Sequence, residues 1–335
     1  MDHIRINRNI LRLPPVLGLA LLAATANAII IRHDKQDAAY KTLAADAKYA
    51  AVGLFEWTRD GEVVGFATGN FIGVGTGGKK WLVTAAHVLD RQWDSATFTI
   101  GGRTYNVQDE SAKWREPYSS GKDDIGVIRI LDPDSRLTVA PSRFWNALVP
   151  IPGSLDQRLT GVSVGFGTTG NGNTGGTTVD KAKRAMQNKV DALEMKYNSG
   201  RSIKNGYLVD FDKNDADSNR LDRTDFPAGN YEEGQKSSRT WLDLEGQCDE
   251  GDSGGGLFVT LNDMNVMIGI ASSVTRLGDG DLGKYGSMTQ YAPFTKEMAG
   301  HVERWTGIKA VPEPSTLSFL LMGGAGLIVR RIRRK

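Results

Sequence analysis

Short apolar or alternating runs, separated by Gly, Asp, Asn and Lys, recur through the middle of the chain. They fall at residues 51–57, 63–66, 81–83, 97–100 and 126–131, and again at 162–166, 257–261 and 266–274. Runs of this length, apolar throughout or alternating with period two, are those of β-strands. Helical spacing is scarce. Phe294, Met298, Val302 and Trp305 mark the clearest amphipathic helix, over residues 294–305. The pattern predicts an all-β protein with two strand clusters and a C-terminal helix. From about Lys196 to Ser238 the chain is polar, rich in Asp, Asn, Lys and Gly, and reads as a long surface insertion.

Both ends have the form of addresses rather than of fold. Arg5, Arg8 and Arg12 precede an apolar run over residues 16–24, and Ala26-Asn27-Ala28 follows as a small-x-small cleavage pattern. That order is the plan of a secretory signal peptide, which assigns residues 1–28 to export and signal peptidase as a processing partner. At the other end Val311-Pro312-Glu313-Pro314-Ser315-Thr316 leads into an apolar stretch over 317–329, closed by Arg330, Arg331, Arg333, Arg334 and Lys335. Thirteen residues are short for a membrane span, which needs about 20. The basic end is expected to stay on the cytoplasmic side. Pro312-Glu313-Pro314, the apolar segment and the terminal arginines together resemble the PEP-CTERM sorting signal. That resemblance implies membrane contact through residues 311–335 and processing by an exosortase-type enzyme on the way to the cell surface. An ordinary membrane anchor is the alternative.

Composition narrows the middle of the chain. With 335 residues there is material for a large core, and 41 basic against 39 acidic side chains leave a net charge of +2. No basic patch points to nucleic acid. Forty glycines favour a turn-rich β protein. Cys248 is the only cysteine, so no intrachain disulfide forms, and it reads as a small buried residue. Two loose G-x-G-x-x-G strings, at 73–78 and 165–170, lack the strand-to-helix setting of a dinucleotide site and read as turns. No cofactor is implied. No HExxH motif or Cys/His cluster points to a metal, although Asp210, Asp212, Asp215 and Asp217 are spaced closely enough to raise calcium against a plainer solvated acidic loop.

The chemistry lies in three segments. Thr84-Ala85-Ala86-His87 sets a histidine just after an apolar strand, and Asp124-Ile125-Gly126-Val127 sets an acid at the start of another. Gly251-Asp252-Ser253-Gly254-Gly255 flanks a serine with glycines, which permits a tight turn that exposes the hydroxyl and gathers backbone N–H groups. A serine becomes a nucleophile when a base takes its proton, and an imidazole base needs a carboxylate to fix its tautomer. Together the segments resemble the trypsin-like, chymotrypsin-fold serine peptidases over roughly residues 45–306. The aspartate box, Asp-Ile-Ala-Leu in the family, is approximated at Asp124 to Val127, with Gly126 where alanine is usual.

That resemblance implies two six-stranded antiparallel β-barrels, at about 45–150 and 155–306, inside a peptidase domain spanning 29–310. It implies Ser253 as nucleophile, His87 as general base, Asp124 as its orienting acid, and an oxyanion hole from the N–H groups of Gly251 and Ser253. The strand over 269–273 is implied to border the specificity pocket, with Ser272, Ser273 and Val274 in its wall. The pocket floor falls on Gln247, or on Gly246 with a shift of one. In this family a new N-terminal Ile or Val amine pairs with the acid before the nucleophile, here Asp252. Ile29, Ile30 and Ile31 are the candidates, exposed by signal cleavage alone. The leading functional expectation is a secreted endopeptidase acting on protein or peptide substrates. A protease-like binding module without activity, and a surface structural protein, are the alternatives from other classes.

Overall fold

The computed structural model describes residues 29–108, 114–115, 124–151, 158–191, 195–196, 202–203, 206–213, 241–275 and 283–312. The proposed signal segment 1–28, and the tail beyond Pro312 with its apolar stretch, lie outside them. No described helix is long and apolar enough to cross a membrane.

Six strands close a first barrel: β1 (Val52–Arg59), β2 (Glu62–Val74), β3 (Lys80–Thr84), β4 (Ser95–Ile100), β5 (Arg103–Val107) and β6 (Gly126–Leu131). The order is β3-β2-β1-β4-β5-β6, every pairing is antiparallel, and β6 pairs back onto β3 with Leu82 opposite Ile128. Alternation sets the inside. In β4, Ala96, Phe98 and Ile100 are buried while Ser95 is exposed and Thr97 and Thr99 are only partly covered.

A second six-stranded antiparallel sheet is built from β7 (Thr160–Gly165), β8 (Arg184–Lys189), β9 (Tyr207–Asp210), β10 (Gly256–Leu261), β11 (Met264–Thr275) and β12 (Met288–Pro293), in the order β8-β7-β10-β11-β12-β9. It curls until its end strands meet. Asp191 N–H donates to Leu208 O at 3.0 Å, and Asn188 Nδ2 to Asp210 O at 2.8 Å.

This sheet corrects the expected insertion. Tyr207, Leu208, Val209 and Phe211 lie inside the stretch read as polar surface, yet each is at most 1 % exposed. Four apolar residues out of five at 207–211, in a polar neighbourhood, were the available signal, and the partner β12 lies some eighty residues further on in sequence.

Helices α1 (Asp37–Ala44), α2 (Ala86–Leu89) and α3 (Lys296–Thr306) lie outside the barrels. α3 starts where Thr295 Oγ1 accepts from Met298 N–H at 3.1 Å and ends at Gly307, whose φ is +76°. Its Met298 and Val302, with Phe294 just before the helix, join one apolar cluster with Phe55, Leu82 and Ile128 of the first barrel and Phe258 and Ile270 of the second. The barrels therefore share core, and the cleft between them has fixed walls.

The chain packs slightly past the expected boundary at 310. Ala310 is buried, and Val311 N–H donates to Phe144 O at 2.8 Å. A chain ending after Pro312 is expected to unfold within about 0.5 kcal/mol of one that keeps residues 313–335. One ending after Lys309 should lose about 1 kcal/mol or more with that hydrogen bond. Thermal unfolding of the three forms checks this, and a large loss on removing 313–335 alone would make the tail part of the fold.

Candidate active site

His87 stands on α2, the single turn that follows β3. Its backbone N–H donates to Asp124 Oδ1 at 2.8 Å, and Nδ1 lies 2.6 Å from Asp124 Oδ2. Asp124 is fully buried at the entrance to β6 and also accepts from Ser272 Oγ at 2.6 Å. An ionised carboxylate only accepts, so Nδ1 is the donor and Nε2 carries the lone pair. Nε2 lies 3.0 Å from Ser253 Oγ. Histidine and acid come from the first barrel and the serine from the second.

Ser253 projects from a turn that its flanking glycines make possible. Gly251 and Gly254 have φ of +89° and +88°. A Cβ at 251 would stand 2.2 Å from the Phe66 ring, and one at 254 would stand 2.1 Å from Thr84 Oγ1. The turn is tied by Asp252 N–H to Asp249 O at 3.0 Å, Gly254 N–H to Ala271 O at 2.8 Å and Gly255 N–H to Asp252 O at 2.8 Å. Among the described residues no acceptor pairs with the N–H of Gly251 or of Ser253.

Strand β2 of the first barrel clasps this turn. Thr68 N–H donates to Ser253 O at 2.9 Å, Thr68 Oγ1 to Gly251 O at 3.0 Å, and Asn70 Nδ2 to Gly254 O at 2.7 Å. Sequence reading passed over Thr68 and Asn70. A buried Asn between Gly69 and Phe71 in an apolar strand was the signal that would have found them.

Asp252 faces away from the cleft and is 1 % exposed. Burial pushes its carboxyl up to about 7, against the pull of N–H groups from Asp249, Gly167 and Ile29. Ile29 N lies 3.2 Å from Oδ2. Ile30 and Ile31 are held in place by parallel pairing with Gly170 and Asn171 and antiparallel pairing with Gln247 and Gly246. Of the three candidate isoleucines, the structure brings Ile29 to the acid.

Two depressions meet at Ser253. One, of about 260 Å³, is bordered by Cys248, Ala271, Ser272, Ser273, Val274 and Thr289 among others. Gln247 does not border it. Its residue is fully buried on the strand paired with Ile30, and Cys248 and Thr289 line the cavity instead, bonded through Cys248 N–H to Thr289 Oγ1 at 3.2 Å. Cys248 is 4 % exposed with Sγ 3.5 Å from Tyr291 Oη, and burial drives its thiol far above the usual range, so it stays protonated. The other depression, of about 530 Å³, runs past His87 along β2.

The solvated loop expected over Asp210 to Asp217 does not hold for its first two acids. Asp215 and Asp217 lie outside the described residues, while Asp210 and Asp212 are buried beside Glu245. Burial first, and then the Asp210 carboxylate, holds Asp212 far above the ordinary acid range. Among the described residues no group of three or more His, Cys, Asp or Glu side chains is disposed to hold a metal ion.

Comparison with known proteins agrees with the reading of the tail. Residues 310–335 match the PEP-CTERM protein-sorting motif, the mark of an exported and sorted chain. No curated protein matches the chain. Among solved structures, the protease Anisep from Arthrobacter nicotinovorans is 9 % identical, with 77 % of this chain and 96 % of that one covered at a TM-score of 0.47. HL collagenase is 17 % identical, with 78 % and 96 % covered at a TM-score of 0.47. The described strands form one closed six-stranded antiparallel barrel and a second, curled six-stranded antiparallel sheet, with a C-terminal helix.

Proposed function

We propose that the chain is an exported serine endopeptidase that cleaves protein or peptide substrates through an acyl-enzyme on Ser253. The observation that carries this reading is the continuous hydrogen-bonded path Asp124–His87–Ser253, at 2.6 and 3.0 Å, beside two N–H groups without a described acceptor. His87 takes the serine proton as Oγ attacks the scissile carbonyl, and Asp124 holds the imidazole in the tautomer that can do so. The N–H groups of Gly251 and Ser253 receive the charge that develops on the carbonyl oxygen. His87 then returns the proton to the leaving amine, and water repeats the cycle to release the acid. The depression bordered by Ser272, Ser273 and Val274 takes the side chain on the acyl side.

Export supplies the last piece. Cleavage after Ala28 would turn the Ile29 amide into an ammonium facing Asp252, with no separate zymogen step. Ile29 has a φ of +54°, an unfavourable value for a β-branched residue, and that torsion exists only while residue 28 is attached. The tail at 311–335 would hold the enzyme at the membrane until an exosortase-type enzyme processes it.

Labelling tests the reading directly. A fluorophosphonate probe should modify the mature protein at Ser253 alone, located by mass spectrometry of its peptides. No labelling, or labelling elsewhere, would sink the proposal. Ser272 acts through Asp124, as a positioning residue. Ser272→Ala should lower kcat about tenfold, in keeping with the loss of one hydrogen bond to a charged group, and leave the labelled residue unchanged. An unaltered kcat would remove Ser272 from the site.

A further inference from the structure

We infer that the groove along β2 is a specificity subsite for bulky apolar side chains at the two substrate positions that follow the scissile bond. This rests on the endopeptidase reading, which also fixes its direction. The leaving amine must collect its proton from His87 Nε2, so the leaving half of the substrate lies on the His87 side of Ser253. His87 lines the groove of about 530 Å³ and not the smaller cavity.

One stretch of the groove, on β2, is apolar by construction. Val63 and Val64 are 54 % and 52 % exposed, unusual for two adjacent valines on a strand, whose side chains ordinarily alternate between faces. A register shift explains it: Thr58 pairs with Val63 and Trp57 with Gly65, which leaves Val64 as the extra residue of a β-bulge. Bulges redirect side chains in this way beside active sites. Gly65 completes the arrangement, because a Cβ there would stand 2.1 Å from the Trp57 ring. The indole therefore lies across the strand, with Phe66 as the next wall.

The far wall is fixed in place. Lys181 Nζ pairs with Glu56 Oε1 at 2.6 Å and stands 5.3 Å from the Phe66 ring centroid. Next to it Asp180 is gripped by Arg184 through bonds of 2.8 and 2.9 Å, which holds its carboxyl down at about 2. With Lys181 already paired, the groove presents Val63, Val64 and part of Phe66 as apolar surface that water covers until a substrate arrives, with Arg91 and Glu250 also in its lining. An aliphatic or aromatic side chain of the leaving half covers that surface, and Gly or Asp does not.

Digestion of a proteome-derived peptide library by the mature enzyme, with cleavage sites read by mass spectrometry, tests the subsite without assuming any acyl-side preference. Leu, Ile, Val, Phe and Met should exceed Gly and Asp about tenfold at one or both positions after the cut. In Val63→Ser/Val64→Ser that ratio should fall to about twofold, and in Val63→Thr/Val64→Thr, which keeps side-chain shape, it should fall partway. A flat profile in the unaltered enzyme, or an undiminished ratio in both variants, overturns the subsite while the Ser253 label stands. Absence of label and of cleavage overturns the endopeptidase reading and the subsite with it.

Discussion

Ser253→Ala is expected to lower peptide hydrolysis by on the order of 10⁶-fold and to abolish fluorophosphonate labelling. The reason is that nucleophile and base act as a unit. Without Oγ, the imidazole at 3.0 Å has no proton to take, and the N–H groups of Gly251 and Ser253 have no oxyanion to stabilise beyond what water attack supplies. His87→Ala should fall to a similar floor, and the double variant should be no worse than either alone. Folding should survive, because the turn's carbonyls are held by Thr68 N–H and Asn70 Nδ2 rather than by the hydroxyl. Thermal unfolding within about 1 kcal/mol of the parent would separate lost chemistry from lost structure. Turnover by the serine variant within tenfold of the parent would end the assignment.

A protein that begins at Ile29 should be at least about 10²-fold more active than one still carrying Ala28 or an N-acetyl group. That factor is the cost of displacing an oxyanion donor. Gly251 sits one residue before Asp252, so an acid left without a cation disturbs the donor turn directly. The pH dependence of stability carries the same signature. Burial raises the Asp252 carboxyl from its ordinary value to about 7 in the folded state when Ile29 donates only an amide. A carboxyl with a raised folded value favours folding at low pH, and that contribution is lost as pH rises from about 4 through about 7. The extended form should therefore lose stability across that window. In the form beginning at Ile29 an ammonium meets the carboxylate, and the loss should be deferred until the amine deprotonates, above its ordinary value of about 8. Unfolding temperatures and peptidase rates of both forms at pH 4.5 and 7.5 decide the matter. Matching rates and matching pH profiles would mean that the amine does nothing.

Much of the molecule was legible in one dimension because the relevant forces are local there. Alternation in residues 97–100 put Phe98 and Ile100 inside, since a strand's side chains point to opposite faces whatever the partner. The last helix was legible from the helical spacing of Met298 and Val302, which the fold buries. Glycines around Ser253 foretold a tight turn because only they tolerate its torsions. The sorting tail was readable for the same reason, as a linear string of proline, apolar and arginine residues.

What required the tertiary structure was whatever depends on partners far along the chain. Strand β8, Arg184-Ala-Met-Gln-Asn-Lys, shows no apolar pattern, yet Arg184 and Asn188 are buried. They can be buried because Asp37 and Asp180 pair with the guanidinium, and the carbonyls of Asp210 and Gly246 accept from the amide. Ser272 was read as pocket wall, but a distance in space, not in sequence, brings its hydroxyl to Asp124. Gln247 was placed at the pocket floor by counting from Ser253, and strand pairing with Ile30 turned it elsewhere. Thr68 and Asn70 became part of the site only when β2 was laid against the Ser253 turn. Local sequence determined strands, turns and the chemical identity of the reacting groups; long-range packing decided which buried polar groups would be satisfied, and so which residues stand in the cleft.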